Sequence, residues 1–504
     1  MTDNEKAYLE AIAKRWQSFA SQDGTDQQSK AIGDEGHHRV ALLWNQLGRL
    51  DEALLESEKA LAIREKLAAD FPAVPAFRQE LADSYSFVGK VLKDVGRFAE
   101  GLSQYRKSMD IQEKLTTDFP NEPSYREGLG FIHNNLGLLY MDQGKTLESK
   151  DMFQKGLTIK EKLVTDFPDR RNYREQLATH HNNFVFLLEE QGKTGEALEE
   201  SVTGLTIRKS LVADFPTELE YQQDLASSYD THGRFLSELG RGDEAIQQTR
   251  ESLAIRRNLA SAYPSVAKYS KDLSSSYNSL GRVLRKFGKD AEAEESYRNL
   301  IAINEKLIVN FPTVPEYRQD LAVGHNNLGT LLKSLGRLAD AKIQYRKGID
   351  IRQRLVSDFA AVPEYRKQLS TAYGNLGNLL LNDKKFKDAE EYYRKALAIQ
   401  DKLVADFSDQ PSYREDLARS HFKLGRLLKE TGKAGDAMDH CYKGIALLEK
   451  LVLDLPGKQE NELALGRVYE LLATIKLEME KPGESIPWFD KAIETIVPVR
   501  EANP

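Results

Sequence analysis

Between Pro123 and Gly144 the apolar residues Leu129, Ile132, Leu136 and Leu139 return at steps of three and four, the spacing that gathers side chains on one face of an α-helix. Beyond the glycine a helical rhythm resumes in Leu147, Met152, Phe153, Leu157, Ile159 and Leu163. It stops at Asp166-Phe167-Pro168, where proline cannot continue a helix. The stretch therefore predicts a helical hairpin: first helix, glycine turn, second helix, proline corner.

The same text is written along the whole chain. Gly48, Gly96, Gly144, Gly192, Gly240, Gly288, Gly336 and Gly432 fall at multiples of 48 with no insertion or deletion. Corners at Asp70-Phe71-Pro72, Asp118-Phe119-Pro120, Asp214-Phe215-Pro216 and Asn310-Phe311-Pro312 keep step with them. Self-similarity at such a period marks an array of stacked supersecondary units. The 504 residues hold 10.5 periods of 48, which leaves no stretch for a separate globular domain. The expected organisation is an N-terminal capping helix in residues 1–24, with Leu9, Ile12, Trp16 and Phe19 on one stripe, and ten hairpins over 25–504.

Three small-residue or aromatic columns indicate how the hairpins stack. Leu-Gly or Val-Gly pairs stand at Val88-Gly89, Leu136-Gly137, Leu328-Gly329, Leu376-Gly377 and Leu424-Gly425 in first helices. Alanines at 53, 197, 245, 293, 341, 389 and 437 open the second helices, and Tyr105, Phe153, Tyr297, Tyr345 and Tyr393 follow as aromatic knobs. The glycines let a neighbour approach closely. Cys441 stands in the knob column and reads as a small core residue.

These columns resemble the tetratricopeptide repeat, over about ten hairpins. The resemblance implies an all-α fold: an α-solenoid, wound as a right-handed superhelix of about ten hairpins plus an N-terminal helix. The unit here is longer than the common one of about 34 residues, and in that the chain is similar to the repeats of kinesin light chains. The phrase at 337–348, followed by Phe359 and Pro363-Glu364-Tyr365-Arg366, also resembles arrays found beyond the catalytic domain of some bacterial serine/threonine kinases. The family implies a protein-interaction scaffold binding an extended segment in a concave groove. Two alternatives stand beside it: a regulatory or docking arm of a serine/threonine kinase system, and an architectural spacer or self-assembling rod.

Some copies break the pattern. Lys384 and Glu480 replace the turn glycine, and Val185 replaces the first-helix glycine. Leu219 with Gln222 and Ala267 with Ser270 replace the Pro-x-Tyr-Arg opening, so a local change of curvature is expected near 215–270.

Charge and composition narrow the function classes. With 40% apolar and 30% charged residues and a net charge of −7, both signs interspersed, the chain does not read as a general nucleic-acid or membrane binder. The start, Met1 to Glu5, lacks signal-peptide character, no run of eighteen apolar residues occurs, and the single cysteine suits a reducing compartment, so a cytoplasmic protein is expected.

Chemistry is not expected, and neither is a cofactor. Histidines at 37, 133, 181, 325 and 421 share one column with tyrosines at 85, 229, 277, 373 and 469. A metal ligand cannot be exchanged for tyrosine, whereas a packing ring can. The Asp-Phe-Pro corners lack the other parts of a kinase, and Gly144-Lys145-Thr146 follows no strand, so neither reads as a nucleotide site.

Binding residues are expected on the first helices. The resemblance places an asparagine just before the Leu-Gly pair in contact with a ligand's backbone, and Asn135, Asn183, Asn327 and Asn375 occupy that column, with Asn278 beside it. An amide donates and accepts at once, which suits an extended peptide; hydrogen bonding within the array is the competing reading. Asn278, Arg282, Arg285 and Lys286 lie on one helical face, with Lys333 and Arg234 expected to flank them and Arg426 in a second basic patch. They suit an acidic or carboxylate-terminated protein or peptide partner, or else form a solvated charged face. Oligomeric state and partner identity stay open.

Overall fold

The computed structural model describes residues 3–20 and 27–502, and among these it contains helices and no strand. Helix α1 (Asp3–Ala20) is followed by helices that alternate 20 and 21 residues in length. They form two compact units, Met1–Phe287 and Gly288–Pro504.

In the first unit the first helices are α2 (Gln27–Gln46), α4 (Pro75–Asp94), α6 (Pro123–Asp142), α8 (Arg171–Glu190), α10 (Leu219–Glu238) and α12 (Ala267–Lys286). The second helices are α3 (Leu50–Asp70), α5 (Phe98–Asp118), α7 (Thr146–Asp166), α9 (Thr194–Asp214) and α11 (Gly242–Ala262). The second unit begins with α13 (Asp290–Asn310). Four hairpins follow: α14 (Pro315–Ser334) with α15 (Leu338–Asp358), α16 (Pro363–Asn382) with α17 (Phe386–Asp406), α18 (Pro411–Glu430) with α19 (Ala434–Asp454), and α20 (Gln459–Glu478) with α21 (Pro482–Ala502). Within each unit every helix packs on its sequence neighbours, and first helices also touch the next first helix. Helix α1 packs on α2, where Ala13 and Trp16 join the core of Val40, Trp44 and Ala53. The side chain of Phe19 lies outside the described residues.

The turns obey the expected chemistry. Gly144 has φ +68°. Its N–H bonds the Met141 carbonyl at 2.8 Å while the Lys145 N–H reaches the Tyr140 carbonyl at 2.9 Å, the double closure that ends a helix in a left-handed residue. Lys384 and Glu480 hold the same backbone at φ 56° and 59° without being glycine. A Cβ there costs about 1 kcal/mol. Lys384→Gly should therefore raise the stability of the α16–α17 hairpin by about 1 kcal/mol, read as slower amide exchange across that turn.

At the corners the Glu122 N–H closes on the Phe119 carbonyl at 3.0 Å and Pro123 opens the next helix. The corner ring packs on an aromatic three residues into that helix, as in Phe119–Tyr125 and Phe407–Tyr413, both at 5.8 Å between centroids. The start of a first helix is tied to the end of the second helix of the same hairpin by Arg126–Asp166 at 2.7 Å and Arg366–Asp406 at 2.7 Å. In the irregular copy Gln222 replaces the arginine, and its amide turns back to the Pro216 carbonyl at 2.6 Å.

In the hairpins α4–α5, α6–α7, α14–α15 and α16–α17 the core is a glycine against a ring. A Cβ added to Gly137 would lie 2.9 Å from Phe153, and one on Gly377 2.6 Å from Tyr393. Where the glycine becomes Ala41 or Val185, the ring sixteen residues on becomes Ser57 or Ser201. In the Val185–Ser201 copy volume thus moves from the ring to the first-helix residue, as close packing favours, whereas Gly233–Thr249 and Gly425–Cys441 lack the ring with no larger residue opposite.

Candidate functional site: the first-helix face

Adjacent first helices meet with an offset of 49 residues, one more than the period. The Asn183 amide donates to Asn134 Oδ1 at 2.9 Å, Asn375 donates to Asn326 Oδ1 at 2.8 Å, and Asn135 lies 3.4 Å from Ser86 Oγ. The asparagine column therefore forms a ladder between neighbouring first helices. Asn135 is buried, while Asn183, Asn278, Asn327 and Asn375 are half-buried. A carboxamide has two N–H donors and an oxygen with two lone pairs, so one ladder bond leaves capacity on each side chain.

The predicted basic residues separate between the two units. In the first, Arg234, Arg282, Arg285 and Lys286 line a cavity of about 500 Å³ between α10 and α12. Arg234 is bound by both oxygens of Glu189 and lies 3.3 Å from Glu238, so its charge is already met. The Lys286 ammonium donates to the Ser237 carbonyl, again across 49 residues. Arg282 and Arg285 are exposed and have no carboxylate within 4.0 Å among the described residues. Thr249 stands in the knob column here and lines the cavity, so the volume is opened by a missing ring.

In the second unit Lys333 and Arg426 come together with Lys423 around a cavity of about 430 Å³. Burial, then Arg419, holds the Lys423 ammonium below its ordinary value; Arg426 and Lys333 push the same way and Asp416 opposes. Lys429, one turn beyond Arg426 in α18, is paired with Glu478 at 2.7 Å.

One column escaped sequence reading. Arg64, Gln112, Lys160, Arg208, Arg256, Asn304, Arg352 and Gln400 recur at 48 in the second helices and carry polar groups into the interior. Arg64 meets Asp34 at 2.8 Å and Ser84 at 2.7 Å, so it spans from α3 to the two first helices flanking it. Burial pushes Lys160 down to about 8 against the pull of Glu127, and burial alone takes Arg352 to about 10. The signal was a charged or amide residue at strict period, which sequence reading treats as surface.

The histidine column faces the second helix of its own hairpin. His37 meets Glu56 and His181 meets Glu200, each at 2.6 Å, and His421 meets His440 with Nδ1 atoms 2.8 Å apart. No group of three His, Cys, Asp or Glu side chains suited to a metal ion occurs among the described residues. Cys441 is buried, and burial pushes its thiol up to about 12.

The chain carries tetratricopeptide repeats: models of that repeat match residues 134–169, 273–310, 326–359 and 370–402. Proteins of curated function give no match. Among solved structures it is similar to BtubC (BKLC) from P. vanneervenii, with 19% identity over 53% of this chain and 94% of that one at a TM-score of 0.42. The apo form of RapI shares 12% identity over 84% of this chain and 99% of its own, with a TM-score of 0.48. A Podosopora anserina putative kinesin light chain with nearly identical TPR-like repeats shares 16% identity over 44% of this chain and 93% of that one, with a TM-score of 0.34.

Proposed function

We propose that this chain is a protein-interaction scaffold that receives an extended acidic segment of a partner protein along its first-helix face, with no covalent step. Repeats of this kind are in general interaction modules. The observation that carries the acidic reading is the pair Arg282 and Arg285, two exposed guanidinium groups with no carboxylate within 4.0 Å among the described residues, at a cavity that Asp230 and Glu238 also line. Guanidinium forks match carboxylates in geometry and charge. Asn183, Asn278, Asn327 and Asn375 supply uncharged donors and acceptors for the segment's backbone. Helix α1 serves as the cap of the array. A cytoplasmic setting suits the single buried cysteine, and no helix among the described residues is long and apolar enough to cross a membrane.

The test is binding of immobilised Glu-rich 15-residue peptides against sequence-shuffled neutral controls. Acidic peptides should be retained, and Arg282→Glu with Arg285→Glu should weaken retention at least tenfold. Undiminished retention by the double variant, or tighter retention of single-stranded RNA than of any peptide, would sink the reading.

A further inference from the structure

The cavity in the second unit lies where several repeat columns change at once. In α18 the Asn-Asn pair of the ladder becomes Phe422-Lys423. Lys423 reaches across to α16 at the ladder offset of 49, and a Cβ added to Gly374 would lie 3.6 Å from its Nζ. Where other rungs find a side-chain oxygen, this one finds glycine. In α19 the polar column that runs from Arg64 to Gln400 becomes Leu448. In α20 the aromatic found in eight first helices, from Phe77 to Tyr413, becomes Asn461. Asn461 is 3% exposed, its Nδ2 has no partner among the described residues, and it lines the cavity with Leu448. A ring and a long polar side chain have thus been exchanged for smaller groups, and about 430 Å³ stands open beside them.

The lining is two-sided. Leu381, Ala418, Phe422, Leu448 and Val468 supply apolar surface, while Lys333, Arg419, Lys423, Arg426 and Arg467 bring five positive charges against the carboxylates of Glu415 and Glu460. Glu415 is itself taken by Lys458 from outside the cavity. Arg419 has only Asp416 nearby, at 3.6 Å, and the other four cations have no carboxylate within 4.0 Å among the described residues.

We propose that this cavity is a binding site for an aryl phosphate, the chemistry of a phosphotyrosyl side chain carried by the partner segment. The assignment rests on the scaffold reading and specifies one subsite of it. A carboxylate would meet one of the surplus charges; a phosphate monoester brings about −1.5 to −2 and three acceptor oxygens near neutral pH. Arginine forks and the Lys423 ammonium give those oxygens donors of the right kinds. The apolar surface and the ring-sized space ask for a body that inorganic phosphate lacks.

Isothermal titration of the full chain with N-acetyl-phosphotyrosine amide, N-acetyl-tyrosine amide and inorganic phosphate tests this directly. The phosphorylated probe should bind at least tenfold more tightly than either of the others. Asn461→Tyr restores the residue of seven other first helices, so it should fold, fill the cavity and reduce that affinity at least tenfold. Lys423→Met should do likewise by removing charge at similar length. Equal binding of inorganic phosphate, equal binding of the unphosphorylated probe, or unaltered affinity in both variants would overturn the assignment. Aryl-phosphate binding that persists while acidic peptides fail at Arg282 and Arg285 would support the cavity and overturn the wider scaffold reading.

Discussion

Gly137→Val should destabilise the α6–α7 hairpin by about 3 kcal/mol, because its first added carbon already falls 2.9 Å from the Phe153 ring. Phe153 is 0% exposed and is packed among Leu157, Phe184 and Leu188, so the ring has nowhere to retreat. A gain of a few tenths of a kcal/mol in helix propensity does not offset the clash. In a solenoid each hairpin leans only on its neighbours, and the damage should stay local. Amide exchange should rise about a hundredfold through α6 and α7, with helices near the N-terminus of the unit much less affected. Adding Phe153→Ser recreates the combination that the next hairpin uses at Val185 and Ser201. The double variant should therefore be more stable than the sum of the two single losses by about 1–2 kcal/mol. Additive losses would show that the glycine–ring pairing is not the unit of packing.

That pairing was half legible in the sequence. The period made the glycine and ring columns visible, and Gly-Pro punctuation located the helix ends, because turn chemistry is written in single residues that need no distant partner. What the period could not display was the contact rule between hairpins. Asn183 bonding Asn134, and Lys286 bonding the Ser237 carbonyl, follow an offset of 49 that depends on how first helices slide against one another. The amides expected to face a ligand therefore also tie the array together. Arg234 looked like a groove cation on spacing alone, yet Glu189, 45 residues earlier, takes its charge. The buried column from Arg64 to Arg352 was invisible for a related reason: a charged residue in an amphipathic helix reads as surface, and only the gap between two first helices makes it interior. Lys423 and Asn461 became informative only once their columns had known spatial roles. An exception to a repeat locates a site when the residue it replaces was filling space.

Acidification should loosen the chain between about pH 6.5 and pH 3, and the histidines set that window. Burial, then the neighbouring His440, pushes His421 down to about 4, with Lys443 acting in the same direction; burial, then Lys160, pushes His180 down to about 3. The His421 and His440 Nδ1 atoms, 2.8 Å apart, can share one hydrogen when both rings are neutral; a second hydrogen at that contact would set two N–H groups face to face, and protonating both rings would add two like charges. Burial, then Lys443 and Arg394, holds His440 below its ordinary value, while Asp436 and Asp439 pull the other way. A histidine with a depressed folded value leaves stability unaltered above the unfolded value of about 6.5, since neither state holds the proton there. Below it the unfolded chain takes up a proton that the fold refuses, and stability falls until the folded value is reached. At pH 5 the loss for a group held at about 4 is roughly 2 kcal/mol. Asp416, whose carboxyl burial raises, opposes this by binding a proton more readily in the fold. His421→Tyr places the residue found at Tyr373 and Tyr469 in neighbouring hairpins and removes the titrating pair. Its second unit should therefore lose less protection between pH 7 and pH 5 than the parent, measured by amide exchange in α18 and α19 after correction for intrinsic rates. Equal losses in both proteins would show that the acid sensitivity resides elsewhere.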